Sequence, residues 1–228
     1  MSAMLSMEEG AACEGKLEYL RIFYELGVRM FTFTWNYPNE LAWPNRIHLT
    51  GLKAGACEPE TERGLTEKGF EFLEEMERLG MIPDVSHLGD KRIYDVIAHA
   101  KRPFVASHSN ARAMASHPRN LSDDMIRALA ERGGVMGINY STAFLRDFGP
   151  GEEQLSRISD MVEHMKHIRK IGGIGCIGLG SDFDGISGNL EMGDAGKLPM
   201  LAHAMERVGF TPSEIEAVFC KNVLRVYK

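Results

Sequence analysis

Two histidines follow short apolar segments that have the character of buried strands. His87 comes just after Met81–Val85, and His108 comes just after Pro103–Ala106. In a barrel of parallel strands the carboxyl ends of the strands surround the active site, so the two imidazoles are expected to lie close together. Imidazoles combined with carboxylates are a common ligand set for zinc. A lone histidine at such a position is more often a hydrogen-bonded residue, and it is the pair that favours a metal site.

Carboxylates follow two further candidate strands. Glu8 and Glu9 come after Met4–Met7, and Asp182 lies in the segment GLGSDFDG, which follows Cys176–Leu179. Taken alone, Glu8 could be a solvated side chain. The segment GLGSDFDG could be a turn or a calcium loop, although it lacks the spacing and the distant glutamate of an EF-hand. These carboxylates supply the acidic part of a candidate metal site.

Arg119 could bind the carboxylate of a substrate through two parallel hydrogen bonds. The alternative is an ion pair with Asp123 or Asp124 at the start of the next helical segment, and the residues alone favour that ion pair. The other histidines, including His164 and His167 on a helical segment, are predicted to be solvent-facing or partly packed side chains without a metal role.

Six short apolar segments alternate with amphipathic helical segments, which indicates a parallel sheet in an α/β fold. The alternation fits either a doubly wound sheet or a (β/α)8 TIM-type barrel, and the absence of a nucleotide-binding glycine motif after the first segment weakens a nucleotide-binding function. Such a barrel needs eight strands and about 250 residues, so the barrel is predicted to be incomplete by about two units. We expect one domain over residues 1–228. The six segments are Met4–Met7, Met30–Thr34, Met81–Val85, Pro103–Ala106, Gly134–Ile138 and Cys176–Leu179.

The composition excludes several classes of protein. The chain has 228 residues, of which 44% are hydrophobic and 25% charged, so it is not a disordered protein. Its net charge of −6 makes it a poor partner for nucleic acid or anionic lipid. No apolar stretch is long enough for a transmembrane helix, and the N-terminus is not a signal peptide. The four cysteines are widely spaced, which is typical of reduced thiols in a cytoplasmic protein.

Several segments together resemble the renal or membrane dipeptidase family of zinc peptidases, peptidase family M19. The resemblance covers essentially the whole chain, and its specificity comes from the combination of segments rather than from any one of them. The segments are Met7-Glu8-Glu9-Gly10, LRIFYELGVRMFTFTWNYPNELA, IPDVSH, PFVASHSNARA, HPRNLSDDMIRAL, GLGSDFDG and TPSEIEAVFCKNVLRVY.

The resemblance implies a β/α barrel with two zinc ions that share one bridging glutamate. Glu8 matches the bridging glutamate, with Glu9 as the alternative if the register differs by one residue. His87 and His108 match the two imidazole ligands of the second metal. Asp182 matches the acidic residue that handles the proton.

The remaining implications concern the substrate and the reaction. Arg119 matches the arginine that holds the carboxylate of the dipeptide, and this role then replaces the ion pair. The implied function is a zinc-dependent dipeptidase that hydrolyses dipeptides with a metal-activated water. The alternatives are a non-catalytic partial barrel or metal-binding protein, and a different metal-dependent amidohydrolase.

Two features depart from the family pattern. The first metal of the family uses a His-x-Asp pair, but no histidine of this chain has an aspartate two residues later. We therefore expect an N-terminal segment to be missing, one metal site to lack its ligands, and the activity of this chain to be impaired. Trp35 stands where many relatives carry a histidine that contacts the substrate.

An incomplete barrel would expose strand edges, which predicts self-association into a homo-oligomer.

Overall fold

The structure is a computed structural model, and it describes residues 3–48 and 57–227. The chain divides into two compact units, Met1–Val105 and Ala106–Lys228. The boundary between the units falls inside a two-residue strand, so this strand gives one residue to each unit.

The first unit consists of parallel strands that alternate with helices. The strands are β1 (Leu5–Met7), β2 (Val28–Thr32), β3 (Ile82–Asp84) and, shared with the second unit, β4 (Val105–Ala106). They pair in parallel in the order β1-β2-β3-β4. The helices are α1 (Leu17–Glu25), α2 (Glu67–Leu79) and α3 (Asp90–His99), with a 3-10 turn at Gly10–Cys13 and a short antiparallel pair of Arg46–Ile47 with Cys57–Glu58.

The ends of α2 show why the sequence forms a helix there. The Thr66 side chain accepts a hydrogen bond from the Gly69 N–H and so caps the first turn. Gly80 ends the helix in the left-handed region at φ 78°, where glycine has no steric cost. Between these ends Phe72 is fully buried and packs on Phe31 of β2, with ring centroids 6.1 Å apart. Capping therefore fixes the length of α2, and its apolar face holds it on the sheet.

The second unit repeats the alternation of strands and helices. Strands β5 (Val135–Ile138) and β6 (Ile177–Leu179) pair in parallel, and all four residues of β5 are buried.

No helix of the described chain, in either unit, is long and apolar enough to cross a membrane. The helices are α4 (Asp123–Glu131), α5 (Thr142–Leu145), α6 (Ile158–Gly172), α7 (Leu198–Arg207), α8 (Pro212–Glu216) and α9 (Asn222–Val226), with a π turn at Ala217–Lys221, 3-10 turns at Ile174–Cys176 and Ala195–Lys197, and a short parallel pair of Leu155–Ser156 with Asn189–Leu190.

Five of the six apolar segments contain a whole strand, and Met30–Thr34 overlaps β2, which begins two residues earlier at Val28, so the six predicted strands are confirmed. The sequence pattern predicts a helix over residues 152–170, and this prediction is wrong at its start, because α6 begins only at Ile158. The preceding Leu155–Ser156 pairs as a strand with Asn189–Leu190. The pairing partner lies more than thirty residues away, and local helical periodicity does not reveal it.

The expectation that His164 is solvent-facing or partly packed is wrong. This side chain of α6 is fully buried. Its Nδ1 accepts a hydrogen bond from the Ala111 N–H at 3.1 Å, and its Nε2–H donates to the Leu145 carbonyl at 2.9 Å. Burial lowers the pKa of His164 to about 4, so the ring is neutral at neutral pH. His164 therefore ties α6 to the loop after β4 and to the end of α5.

We expect His164 to make the protein less stable as the pH falls. The pKa of His164 is 6.5 in the unfolded chain and about 4 in the folded chain. As the pH falls, the unfolded chain therefore binds a proton at His164 at a higher pH than the folded chain does. The stabilisation is complete above about pH 6.5 and is lost between about pH 6.5 and about pH 4, for a total on the order of 3 kcal/mol. Between about pH 7 and about pH 5, the wild type should lose about 2 kcal/mol more unfolding free energy than His164→Asn.

Urea unfolding at the two pH values measures this difference. The exposed His203 provides the control, because His203→Asn should keep the pH dependence of the wild type. Equal pH dependence in the wild type and in His164→Asn would contradict the assignment.

Candidate metal and catalytic site

His87 is held between two oxygen atoms of the first unit. Its side chain is only 4% exposed and follows β3. Nε2 lies 3.0 Å from Oε1 of Glu8, which follows β1, and Nδ1 lies 3.0 Å from Oδ1 of Asn36, which follows the β2 segment. Three strand ends of the first unit thus bring a carboxylate, an imidazole and an amide together.

The chemistry of these atoms fits a cation between Glu8 and His87. A neutral imidazole carries one ring proton, and donation from Nδ1 to Asn36 leaves the lone pair of Nε2 facing the Glu8 carboxylate. A cation between the two atoms, or a proton on Nε2, satisfies this contact. Two ligand atoms at about 2.0–2.2 Å from a tetrahedral zinc lie roughly 3.3–3.6 Å apart, so a zinc ion between Oε1 and Nε2 requires these atoms to separate by a few tenths of an ångström from their 3.0 Å distance. Asn36 bonds to the ring nitrogen of His87 that faces away from Glu8, which is the place of the outer partner in known metal sites.

Glu9 is engaged in a different task from Glu8. Its Oε1 accepts hydrogen bonds from the Ala11 N–H at 2.9 Å and from Nδ2 of Asn39 at 2.7 Å. Its Oε2 accepts from the Trp35 N–H at 3.0 Å. Glu9 therefore caps the 3-10 turn and fixes the loop after β2, while Glu8 is the carboxylate that faces His87. Between the two register alternatives, the geometry of the first unit favours Glu8.

His108 follows β4 and belongs to the second unit. It is 9% exposed, and its Nδ1 lies 2.7 Å from the Ser107 hydroxyl oxygen. In the parallel register Asp84 pairs with Val105, and His87 and His108 each come three residues after the paired residue. That the two imidazoles share one metal ion stays a prediction.

Asp182 adopts an unusual backbone conformation in the second unit. Its φ of 61° lies in the left-handed region, as does the φ of 73° at His87. Oδ2 of Asp182 accepts a hydrogen bond from Nδ2 of Asn139 at 2.9 Å. A Cβ atom at Gly185 would lie only 2.2 Å from Oδ1 of Asp182, so the close approach of this carboxylate requires glycine there. GLGSDFDG is thus a strand end followed by a turn that holds the Asp182 carboxylate in place.

Arg119 lies against an aromatic side chain of the second unit. Its guanidinium carbon is 5.3 Å from the ring centroid of Phe144, and the ring of His117 packs on Phe144 at 4.4 Å. Burial, with added repulsion from Arg119, lowers the pKa of His117 to about 4, so this imidazole is neutral near pH 7. The two carboxylates of the ion-pair alternative have other partners: Asp123 pairs with His167 and Asp124 with Arg127.

Asn36 and Asn139 contact the candidate site residues His87 and Asp182, but the sequence analysis does not assign them to the site. Both lie within two residues of the end of an apolar segment, as His87 and His108 do. That position was the available signal. An asparagine there reads equally well as a turn residue, because its amide commonly bonds to local backbone.

Comparisons with known proteins cover almost all of the chain. An uncharacterized dipeptidase of Schizosaccharomyces pombe is 38% identical over 214 residues, which are 93% of this chain and 49% of the relative. The chain thus spans about half the length of this curated relative. The solved dipeptidase AC, a metallopeptidase of family M19, superposes with a TM-score of 0.88 at 30% identity, covering 98% of this chain and 64% of that chain.

A second solved structure is a metallopeptidase from Rhodobacter sphaeroides bound to a phosphinate mimic of the dipeptide L-Ala-D-Ala. It superposes with a TM-score of 0.84 at 28% identity and covers 98% of this chain and 62% of that chain. The family model for membrane dipeptidase, peptidase family M19, matches residues 1–228. The parallel strands and alternating helices match the α/β fold of the family's TIM-type barrels. The chain therefore belongs to the membrane dipeptidase family, peptidase family M19.

Proposed function

We propose that this chain is a zinc-dependent dipeptidase that hydrolyses dipeptides with a metal-activated water. The observation that carries the proposal is the environment of His87, whose Nε2 faces the Glu8 carboxylate at 3.0 Å while Asn36 fixes Nδ1. Membership of a family of metallodipeptidases supports the same reaction. Because the chain spans about half the length of the relative described above, its activity is itself part of the proposal.

Glu8, His87 and His108 are the proposed zinc ligands. One carboxylate and two imidazoles are a common catalytic ligand set, and they leave a fourth position open. Zinc, when bound, polarises the scissile carbonyl and lowers the pKa of a water. The chain has no His-x-Asp pair for a second ion, so we expect one zinc per chain and a lower rate than a two-metal site gives.

Asp182 is proposed to accept the proton of the attacking water and pass it to the leaving amine. Its carboxylate is held at Oδ2 by Asn139. Attack by water forms no covalent intermediate with the chain, so the reaction needs no nucleophilic serine or cysteine.

Arg119 is proposed to bind the free α-carboxylate of the substrate, which restricts hydrolysis to short peptides. The Phe144 ring supports its guanidinium from one side. L-Ala-D-Ala is the dipeptide to test first, because the related metallopeptidase from Rhodobacter sphaeroides binds a mimic of it.

We expect Arg119→Ala to weaken the binding of dipeptides and to spare their C-terminal amides. A charge-assisted hydrogen bond contributes about 1.5–3 kcal/mol, so kcat/KM for L-Ala-D-Ala should fall roughly 10- to 100-fold, mainly through KM. The corresponding amide has no carboxylate, and its slower hydrolysis should not change further. Steady-state kinetics of both substrates measure the difference, with the exposed Arg127→Ala as the control.

The same experiment separates the alternative functions. Hydrolysis of a cyclic amide that Arg119→Ala leaves unchanged would favour a different amidohydrolase. Stoichiometric zinc without hydrolysis of any dipeptide would favour a non-catalytic metal-binding protein.

A further inference from the structure

A network of three buried asparagines lies behind the Asp182 side chain in the second unit. Asn110, Asn120 and Asn139 are all completely buried, and hydrogen bonds connect them to one another. We propose that Asn139 is the positioning residue for Asp182, and that Asn110 couples this position to the support of Arg119. The inference rests on the proposed function for the roles of Asp182 and Arg119.

The Asn139 amide has one orientation available to it. Its Oδ1 accepts a hydrogen bond from the Ser141 N–H at 2.7 Å, so its Nδ2 must face away from that backbone group. Nδ2 donates to Oδ2 of Asp182 at 2.9 Å. Because both ends of the amide are used, Asn139 can hold the carboxylate in only one place.

Asn110 holds the backbone of Asn139 from both sides. Its Oδ1 accepts from the Asn139 N–H at 2.8 Å, and its Nδ2 donates to the Asn139 carbonyl at 2.9 Å. Both are backbone groups of the residue that directly follows β5. A shift of Asn110 would therefore move Asn139 and, through it, the carboxylate of Asp182.

The same network reaches the residue that supports Arg119. The Phe144 carbonyl accepts hydrogen bonds from Nδ2 of Asn110 at 3.1 Å and from Nδ2 of Asn120 at 2.9 Å. The ring of Phe144 lies under the Arg119 guanidinium. The Nδ2 of Asn110 thus bonds both to Asn139, which supports the proton carrier, and to Phe144, which supports the carboxylate-binding arginine.

This arrangement matters because Asp182 is held in a strained conformation. A left-handed φ in a residue other than glycine persists only where its surroundings impose it. Proton transfer requires the carboxylate within hydrogen-bond reach of the reacting atoms, and a misplacement of about 1 Å can cost a hundredfold in rate. The Asn139 hydrogen bond restrains the carboxylate directly.

The kinetic test compares Asn139→Leu with Asn222→Leu. Asn222 is also a buried asparagine of the second unit, and its side chain donates to the Ile174 and Ile177 carbonyls rather than to a residue of this network. Asn139→Leu should lower kcat for L-Ala-D-Ala roughly 10- to 100-fold with KM within about twofold, and it should cost nothing more in an Asp182→Asn background. Asn110→Leu should change both kcat and KM, whereas Asn222→Leu should lower only the stability.

An equal fall of kcat in Asn139→Leu and Asn222→Leu, or a full further loss in the Asp182→Asn background, would overturn the proposal. If Asn139→Leu does not fold, Asn139→Ser provides the same comparison with a smaller change in polarity.

A second measurement does not depend on activity. In the full-length 15N-labelled protein, the side-chain amide signals of Asn139 are those that disappear in Asn139→Leu. Asp182→Ala removes the acceptor, so these signals should shift, while the amide signals of Asn222 should stay in place. Unchanged Asn139 signals would refute the contact. An inactive wild type would count against the proposed function. The NMR measurement would still test whether Asn139 holds the Asp182 side chain, because it does not need an active protein.

Discussion

Replacing both His87 and His108 with alanine is expected to abolish zinc binding. Two of the three proposed ligands are then lost, and the remaining Glu8 is a half-exposed carboxylate. Structural zinc sites with about four ligands contribute about 10–16 kcal/mol, so each imidazole is worth roughly 10²–10³ in affinity. Wild-type protein should retain one zinc after dialysis, and the double variant should retain none when the metal is measured by mass spectrometry.

A graded series makes the zinc experiment specific. His99 and His203 lie on α3 and α7, and replacing both with alanine should leave the zinc content unchanged. Asn36→Ala should keep the three ligands but remove the acceptor that Asn36 offers to Nδ1 of His87. Loss of this outer hydrogen bond should weaken zinc binding roughly 10- to 100-fold. Full zinc stoichiometry in His87→Ala/His108→Ala would show that the ligand assignment is wrong.

Asp182→Asn is expected to stop turnover while zinc binding remains at the wild-type level. Asparagine tolerates the left-handed φ of 61° and has the shape of aspartate, so the fold should be retained. Its amide cannot accept the proton of the attacking water. Loss of a general acid–base group lowers kcat by roughly 10²–10⁴, and steady-state kinetics with zinc-loaded protein measure this fall.

Asp184 provides a matched control for this substitution. It lies in the same turn, two residues after Asp182, and its side chain is exposed. Asp184→Asn therefore makes the same chemical change without touching the proposed site, and it should keep the wild-type rate. Turnover by Asp182→Asn at the wild-type rate would remove Asp182 from the mechanism.

The strands were predictable because burial on both faces leaves a strong local signal. Segments such as Gly134–Ile138 are continuously apolar, and β5 within it is buried at every position. The start of α6 was not predictable, because the Leu155–Ser156 strand depends on a partner remote in sequence. The sequence also indicates which residues follow each strand, and this knowledge identified the candidate site.

Orientation within the site could not be read from the sequence. Glu8 and Glu9 are adjacent residues of the same type, and only the fold shows that one faces His87 while the other caps a turn. His164 was misjudged for a similar reason, since its buried partners lie in distant loops. The single domain, the missing barrel units, the self-association and the cytoplasmic location remain predictions.

The positive φ angles at His87 and Asp182 set stability against function. An L-residue in the left-handed region costs roughly 1–2 kcal/mol, a penalty that glycine escapes. Directed evolution for heat resistance alone would thus favour glycine at both positions. Such a thermostable variant would lack the imidazole and the carboxylate on which hydrolysis depends, so engineers should screen for turnover alongside melting temperature.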